Sequence, residues 1–178
     1  KDTDSLLELV GGAPTILKFL QSTQGKGIIL AETKKAGEAA ISTFQGLNAN
    51  FIAQEFVKEA AGSDIRCFVV GKTVVGAIIR TAATEDTHIS SQSRTKAKKV
   101  ILSKEEKSIV IKSVKVLGLT FACVDLIRTQ TGAKILEVNS SPELEALEKI
   151  TKKNVAVKII NHIEKKVSST TERVLLTV

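Results

Sequence analysis

The chain has 178 residues, of which 43% are hydrophobic and 25% are charged. This length suits one domain or two small lobes, and the composition is that of a globular protein rather than a disordered or collagen-like one. The formal net charge of +7 favours anionic ligands. Trp and Tyr are absent and aromatic residues are 3%, which counts against nucleic-acid readers that stack bases on aromatic side chains.

No apolar run approaches the roughly 20 residues of a membrane span, so no membrane segment is expected. The first residues do not resemble a signal peptide. The chain begins with Lys1 and contains no Met, so we expect it to be a processed product or a fragment of a longer protein.

Cysteine and histidine are sparse, which limits the chemistry they can carry. Cys67 and Cys123 lie inside apolar runs and form no Cys-x-x-Cys pair, so both are predicted to be reduced core residues of a cytoplasmic protein. His88 and His162 are far apart and have no Cys/His cluster beside them, which disfavours zinc, and His162 is predicted to lie on a helix surface. No Ser/His/Asp or Cys/His motif supports covalent acyl catalysis.

The N-terminal third alternates short helices and strands. Gly11-Gly12 ends a first predicted helix, and Thr33 is a candidate N-cap for a second helix that ends near Gly46. Two strands flank a polar, glycine-bearing loop and predict a hairpin. The predicted elements are a helix at 5–10, strands at 15–20 and 27–30, a helix at 34–44 and a strand at 51–57.

The middle third contains the strongest hairpin signal and one long polar segment. Strands at 65–70 and 73–80 flank Gly71-Lys72. Residues 82–99 are polar and have no period. A stretch of this length without regular structure is usually functional or disordered.

In the last third, Ser103 and Glu106 form a Ser-x-x-Glu capping box that opens a helix ending at Gly118. Strands at 119–127 and 133–139 follow, then a helix from Pro142 to about Ile150 and another, capped by Asn154, over 155–166. The antiparallel hairpins and interspersed helices predict an α+β fold.

The hairpin around Thr131 carries the most informative polar residues. Glu137 and Asn139 are two residues apart and therefore share one strand face, which also carries Ile135. Asp125 and Glu137 are equidistant from Thr131, so a symmetric hairpin places them directly opposite each other. Two carboxylates and an amide on a largely apolar patch predict a Mg²⁺ or Mn²⁺ site. The alternative is an exposed edge hairpin whose acids meet lysines in solvent.

Lys18 shares a strand face with Ile16, so its ammonium either reaches outward to solvent or points at an anion. The loop after it contains Gln24, Gly25 and Gly27 and offers backbone N–H groups, as phosphate-binding loops do. The spacing is not that of a P-loop, and a solvated turn is the alternative.

Glu55 and Phe56 end a strand before a loop, where a carboxylate and free backbone groups could read the edge of a base. A strand end with one solvated Glu is the simpler interpretation. Asp64 opens the next strand and could be only a turn residue.

Taken together, these stretches resemble a known family. Asp125-Leu126-Ile127-Arg128 followed by Ile135-Leu136-Glu137-Val138-Asn139-Ser140-Ser141-Pro142 is similar to the metal hairpin of ATP-grasp ligases, and most similar to the RimK-type α-L-glutamate ligases that modify a ribosomal protein. Supporting stretches are Gly11-Gly12-Ala13-Pro14, Gln45-Gly46-Leu47-Asn48-Ala49 and Gln54-Glu55-Phe56-Val57, with Asp64-Ile65-Arg66.

The resemblance implies an ATP-grasp fold with two α+β lobes around a nucleotide: a small lobe over 1–57, a large lobe over 58–167 and a tail over 168–178. It implies that Asp125, Glu137 and Asn139 hold Mg²⁺ or Mn²⁺. It further implies that ATP is bound by Lys18, Gln24, Gly25, Gly27, Glu55, Phe56 and Asp64.

The polar loop departs from the family pattern. By counting from Asp64, His88 and Ser90 stand where the family carries an Arg and an Asn that reach the ATP phosphates. His88 can donate to phosphate when it is protonated. Arg80 ends a strand beside this loop, where it either steadies the transferred phosphoryl group or is a surface strand end.

The implied activity is an ATP-dependent carboxylate–amine ligase that activates a carboxylate as an acyl phosphate and joins it to an amino acid, L-glutamate. The implied partners are an acceptor protein or peptide, for example a ribosomal protein, with no membrane or direct nucleic-acid site and with a homo-oligomer as a possible assembly. One alternative is a non-catalytic nucleotide-binding relative that acts as an interaction domain. Another, based on the +7 charge alone, is a ribosome- or RNA-binding module.

Overall fold

The computed structural model describes residues 3–20, 27–60, 62–81 and 96–175. The chain divides into two compact units, with the boundary between Gly62 and Ser63. The second unit takes in Ser63–Thr81 and the chain from Ala97 onwards. None of the described helices is long and apolar enough to cross a membrane.

The first unit is a three-stranded antiparallel sheet with two helices. The elements are α1 (Thr3–Leu9), β1 (Thr15–Phe19), β2 (Ile28–Ala31), α2 (Lys34–Gly46), β3 (Phe51–Glu55) and a 3₁₀ turn (Lys58–Ala60). The sheet order is β2-β1-β3, and Leu17 of β1 packs with Leu7 and Ile41 of the helices. Thr33 caps the second helix as predicted, because its Oγ1 accepts a hydrogen bond from the Ala36 N–H at 3.2 Å.

The second unit is a five-stranded sheet with helices. Its elements are β4 (Ser63–Val70), β5 (Thr73–Thr81), β6 (Lys96–Lys99), α3 (Lys104–Val116), β7 (Phe121–Thr129), β8 (Gly132–Asn139), α4 (Glu145–Thr151) and α5 (Val155–Leu175). The sheet order is β6-β5-β4-β7-β8, in which β4–β5, β4–β7 and β7–β8 pair antiparallel. The hairpins predicted around Gly71 and Thr131 are therefore confirmed.

Helices cover both faces of this sheet, so alternate residues of β4 and β7 enter different cores. On one face Cys67 and Val124 pack with Val110 and Val114 of α3. On the other, Phe68 and Cys123 pack with Leu147 of α4 and Val155 of α5. Both cysteines are buried and unbonded to each other, as predicted.

The capping box that opens α3 is complete and is tied to the sheet. Ser103 Oγ accepts from the Glu106 N–H at 3.1 Å, and Glu106 Oε2 accepts from the Ser103 N–H at 2.8 Å. Arg128 of β7 donates to both Glu106 oxygens, at 2.6 and 3.0 Å. This pair holds the first turn of α3 against the end of β7 that leads into the β7–β8 turn.

The largest differences from the sequence expectation are one additional strand and two helix boundaries. Lys96–Lys99 forms strand β6 at the sheet edge, where only polar irregular chain was expected, because β5 supplies a pairing partner that the sequence does not reveal. Helix α4 begins at Glu145 rather than at Pro142. Helix α5 continues to Leu175, past the expected tail boundary, because no Gly or Pro interrupts it.

His162 is not a surface residue of α5, contrary to prediction. Its Nε2 is buried with no hydrogen-bond partner in the described part of the chain. Its ring lies against Gly71 of the β4–β5 turn, where a Cβ added to the glycine would sit only 2.6 Å from His162 Cε1. The helical period alone could not indicate this contact, because the turn comes from a much earlier part of the chain.

Candidate metal and nucleotide site

Asp125 and Glu137 are directly opposite each other across β7 and β8, as the sequence predicts. Asn139 is the next residue on the same face and lies opposite Cys123. Asp125 is buried, whereas Glu137 and Asn139 are exposed at the edge strand. Two carboxylates and one amide are thereby brought to one face of one ribbon.

The hairpin is not symmetric about Thr131. Thr129 pairs with Gly132 and Leu126 with Ile135, but Asp125 pairs with Glu137, so Leu136 is an extra residue in a β-bulge. Ile135 therefore packs with the core on the α3 side of the sheet and does not share the face of Glu137. The prediction that Ile135 lines the polar patch was wrong because a bulge reverses the alternation of faces.

Two arginines from neighbouring strands hold the Asp125 carboxylate. Arg66 of β4 donates to both of its oxygens, with Nε–Oδ1 at 2.9 Å and Nη2–Oδ2 at 2.6 Å. Arg80 of β5 adds a third bond from Nη2 to Oδ2 at 3.0 Å. The Cys123 thiol lies 3.6 Å from Oδ1 and can donate to it. Bidentate charge-assisted bonds of this kind fix a carboxylate in orientation as well as in charge.

Arg80 also joins Asp64 to this network. Its Nε lies 3.0 Å from Asp64 Oδ1, and its Nη2 donates to Asp64 Oδ2. Only 22% of the Arg80 side chain is exposed, so Arg80 is part of a partly buried polar row and not a surface strand end. The row runs Asp64, Arg80, Asp125, Arg66 across three adjacent strands.

Burial and charge act in opposition on the two aspartates. Burial raises the pKa of Asp64 above its ordinary value, and the hydrogen bond and charge of Arg80 only partly offset it. Burial also acts to raise the pKa of Asp125. There the Arg66 hydrogen bond and the charges of both arginines outweigh burial, and the pKa falls below its ordinary value. Asp125 is therefore a carboxylate at neutral pH.

The donor set suits a hard divalent cation. Asp125, Glu137 and Asn139 offer only oxygen ligands on this face, which is the preference of Mg²⁺ and Mn²⁺. Within the described ranges, no three His, Cys, Asp or Glu side chains cluster as a metal site, and the candidate set here consists of two carboxylates and one amide. Asn139 Oδ1 accepts from the Ser141 N–H at 2.8 Å, which orients the amide and leaves a lone pair for a second contact.

Four predicted nucleotide residues of the first unit lie on the strands of its sheet or directly beside them. Lys18 of β1 pairs with Ile28 and Ile52, and is half-buried. Glu55, the last residue of β3, pairs with Thr15, which places Glu55 and Lys18 on opposite faces of the sheet. Gly27 directly precedes β2 with φ +76°, and Phe56 directly follows β3.

Four predicted residues, Gln24, Gly25, His88 and Ser90, lie outside the described residues. Arg66, in contrast, is a described residue of the polar row to which sequence reasoning assigned no role. The sequence does contain a clue to this role. Arg66 stands between Ile65 and Cys67 in an otherwise apolar strand, so its side chain lies on the sheet face opposite the core that those two residues enter. A single cation on a partly buried face needs a carboxylate partner.

Solved structures define the fold. Over 97% of this chain and 60% of the other, the structure matches the D-alanine–D-alanine ligase of Bacillus anthracis with a TM-score of 0.70 at 18% identity. It also matches the ATP-grasp ligase PsnB, whose structure was solved in complex with a phosphomimetic variant of its minimal precursor, Mg and ADP. That match has a TM-score of 0.69 at 18% identity and covers 93% of this chain and 51% of PsnB. The fold is therefore the ATP-grasp fold, as predicted.

Sequence comparison gives the family. The family model of the RimK-like ATP-grasp domain matches residues 1–163, so the chain belongs to the RimK-like ATP-grasp family. It is 48% identical over 164 residues to a "Probable alpha-L-glutamate ligase" of Alkalilimnicola ehrlichii, and 46% identical over 176 residues to one of Picosynechococcus sp.. These matches cover 92% and 98% of this chain but 54% and 58% of the relatives, so the chain spans just over half of their length.

Proposed function

We propose that this chain is the ATP-grasp part of a ligase that joins the amine of L-glutamate to a carboxylate of a protein or peptide. The observation that carries the proposal is the pairing of Asp125 with Glu137, with Asn139 beside them, in a RimK-like domain. The relatives' printed names and the ligase activity of the structural neighbours support the same reaction class.

In this proposal Asp125, Glu137 and Asn139 hold Mg²⁺ or Mn²⁺. When bound, the ion neutralises phosphate charge and orients the nucleotide. Arg66 and Arg80 hold the Asp125 carboxylate in one orientation before any ion arrives, through the 2.6 and 3.0 Å bonds to Oδ2. A ligand fixed in this way needs little reorganisation.

The reaction has two displacements. An oxygen of the acceptor carboxylate attacks the γ-phosphorus of ATP, and the bond to the β-phosphate oxygen breaks, so that ADP leaves with the electron pair and an acyl phosphate forms. The glutamate nitrogen then attacks the acyl carbon, the bond from that carbon to the phosphate oxygen breaks, and the amine loses a proton. Both steps concentrate negative charge, so positioning and cationic side chains provide most of the acceleration.

Two cations have proposed roles. Lys18 binds ATP phosphate, and Arg80 steadies the transferred phosphoryl group. Arg80 is held for that task by Asp64, whose Oδ1 accepts from its Nε at 3.0 Å. The remaining proposed nucleotide contacts are Gln24, Gly25, Gly27, Glu55, Phe56, Asp64, His88 and Ser90.

A ribosomal protein as the acceptor and self-association of the ligase belong to the same proposal, on the strength of the family. The two reduced, buried cysteines fit a cytoplasmic location.

The test combines nucleotide binding and turnover. Mg-ATP should stabilise the protein by about 2.7 kcal/mol at a hundredfold excess over Kd. Glu137→Gln should abolish this stabilisation without lowering the melting temperature of the free protein, because Glu137 is exposed. Lys134→Gln, an exposed change on the same strand and face, is the matched control. Unchanged Mg-ATP stabilisation in Glu137→Gln would refute the metal assignment.

Turnover distinguishes this ligase from a non-catalytic relative that only binds nucleotide. The observation that favours the non-catalytic relative is that His88 and Ser90 stand where the family carries a phosphate-contacting Arg and Asn. The ligase predicts ADP release that depends on L-glutamate and an acceptor peptide, with a product one or more glutamates heavier by mass spectrometry. Mg-ATP binding without release, with every amino acid tried, would support the non-catalytic relative. His88→Arg should raise a weak ligase activity.

A further inference from the structure

The outer edge of the five-stranded sheet combines an open strand with a concentration of positive charge. Strand β6 is the edge strand, and β5 is its neighbour on the inner side. In the part of the chain that the structure describes, no strand pairs with its outer side. Three of its four residues, Lys96, Lys98 and Lys99, are exposed lysines. None of them forms an ion pair with a described residue.

The backbone of β6 offers hydrogen-bonding groups on that open side. The Val100 N–H donates to the Ala77 carbonyl of β5 at 3.2 Å. Since successive residues of an extended strand direct their N–H and C=O groups to opposite sides, Lys98 faces β5 like Val100, and Ala97 and Lys99 face outward. An extended peptide could therefore bond to Ala97 and Lys99.

The side chains of the edge select the chemistry of such a peptide. Ala97 packs with the core on the face that carries Asp125, so Lys99 lies on that face and Lys96 and Lys98 on the other. Cations thus flank the edge on both faces. Directly after the strand, Ile101 exposes 83% of its surface and offers an apolar contact.

We propose that the outer edge of β6 binds an acidic, extended peptide as an added strand, with its carboxylates on the three lysines. Strand addition gives affinity through the main chain and specificity through alternating side chains. A four-residue edge pairs with about four residues of the peptide. A nucleic acid, in contrast, has no amide backbone to continue the ladder.

The acidic peptide is the acceptor chain, and this assignment rests on the proposed function. Each glutamate that is added makes the product more acidic. The positively charged edge of β6 would therefore bind a growing glutamate tail more tightly than an uncharged edge would. Strand β5, which carries Arg80, lies next to β6 and places the bound peptide on the same sheet as the polar row. Lysines on an edge strand also discourage aggregation, and the experiment distinguishes the two roles.

The experiment measures fluorescence anisotropy of a labelled octapeptide of alternating Glu and Val, titrated with the full chain at low salt. A peptide of alternating Lys and Val tests charge. The acidic peptide with alternate N-methylation tests strand addition, because it keeps the charge and loses the backbone donors on one edge. We expect saturable binding of the first peptide only.

Two variants locate the site. Replacing all three β6 lysines by Gln should weaken binding at least about tenfold. The matched change of three exposed α3 lysines, Lys104, Lys107 and Lys112, should have little effect. Ala97→Pro removes an outward N–H and no charge, so it should weaken binding without altering its salt dependence.

The outcomes are decisive. Equal binding of the N-methylated peptide, or no effect of Ala97→Pro in a folded variant, would overturn strand addition. Tighter binding of single-stranded RNA, sensitive to the same Lys→Gln changes, would overturn the peptide assignment. Mg-ATP stabilisation measured on the same samples keeps the two proposals separate. If it persists without peptide binding, only the docking proposal fails. If it is absent while the peptide binds, the peptide site on β6 stands, but the proposed function fails and with it the identification of the peptide as the acceptor.

Discussion

Asp125 lies opposite Glu137 because β8 carries one unpaired residue, Leu136, between two stretches of regular ladder. Without this bulge, the pairing of Leu126 with Ile135 would continue with Asp125 opposite Leu136. Glu137 would then stand opposite Val124, on the face covered by α3. Because Leu136 is left unpaired, the second carboxylate lies on the face of the polar row and not in the hydrophobic core.

Deleting Leu136 tests what the bulge contributes. The deletion removes the unpaired residue and leaves Glu137 next after Ile135, so a regular ladder still pairs Glu137 with Asp125. We expect a folded protein that retains stabilisation by Mg-ATP in a thermal shift assay. If the variant folds but Mg-ATP no longer stabilises it, the bend of the bulge, and not only the register, orients the carboxylate.

Removing Arg66 should destabilise the second unit. Arg66→Gln deprives the buried Asp125 carboxylate of its bidentate partner, and we expect a loss of about 2 kcal/mol in the free energy of unfolding. Arg66→Lys keeps the positive charge but cannot form the bidentate pair, so its free energy of unfolding should lie between that of Arg66→Gln and that of the wild type. Urea unfolding measures both. Equal stability of Arg66→Lys and wild type would show that charge alone is sufficient.

The Glu106–Arg128 pair should make stability depend on pH in the acid range. The hydrogen bond from Arg128 lowers the pKa of Glu106 below its ordinary value of 4.5, and burial only partly opposes it. The pair therefore contributes its full stability above pH 4.5 and loses it as the pH falls through the lowered pKa. Glu106→Gln should destabilise by about 1 kcal/mol at pH 7 because Arg128 is half-exposed.

The stability difference between wild type and Glu106→Gln should shrink as the pH is lowered below 4.5, in urea titrations at a series of pH values. A difference that stays constant across this range would mean that the charge of Glu106 contributes nothing and that only its shape matters.

The contact between Gly71 and His162 predicts a coupled pair of substitutions. Gly71→Ala places a Cβ 2.6 Å from His162 Cε1 at a φ of +62°, and should destabilise by about 2 kcal/mol. Adding His162→Ala to the same chain should remove the part of this destabilisation that is due to the steric clash. The part that is due to the positive φ at residue 71, about 1 kcal/mol in the free energy of unfolding, should remain.

Gly118→Ala is the control for the backbone part alone, because Gly118 has a φ of +69° and a Cβ added there would meet no atom within 4 Å. If Gly71→Ala lowers the free energy of unfolding no more than Gly118→Ala does in urea titrations, the ring of His162 moves aside freely and the two residues are not coupled.

Local features of this protein could be predicted from the amino-acid sequence alone. Thr33, Ser103 and Asn154 predict helix starts because a cap needs only a side chain and the backbone within three residues of it. The hairpins around Gly71 and Thr131 follow from turn residues between apolar runs. The metal-hairpin motif with Asp125, Glu137 and Asn139 predicted the fold and the family only in combination with the supporting stretches of the N-terminal half.

Features that depend on partners distant in sequence are seen only in the folded chain. The polar row needed β4, β5 and β7 side by side before Arg66 and Arg80 could be seen to hold Asp125. The burial of His162 against Gly71 depends likewise on contact between distant parts of the chain. The same is true of the pairing of β6 with β5. Local sequence patterns encode hydrogen bonds and periods within a few residues, whereas burial and register are properties of the packed chain, so only the folded structure reveals them.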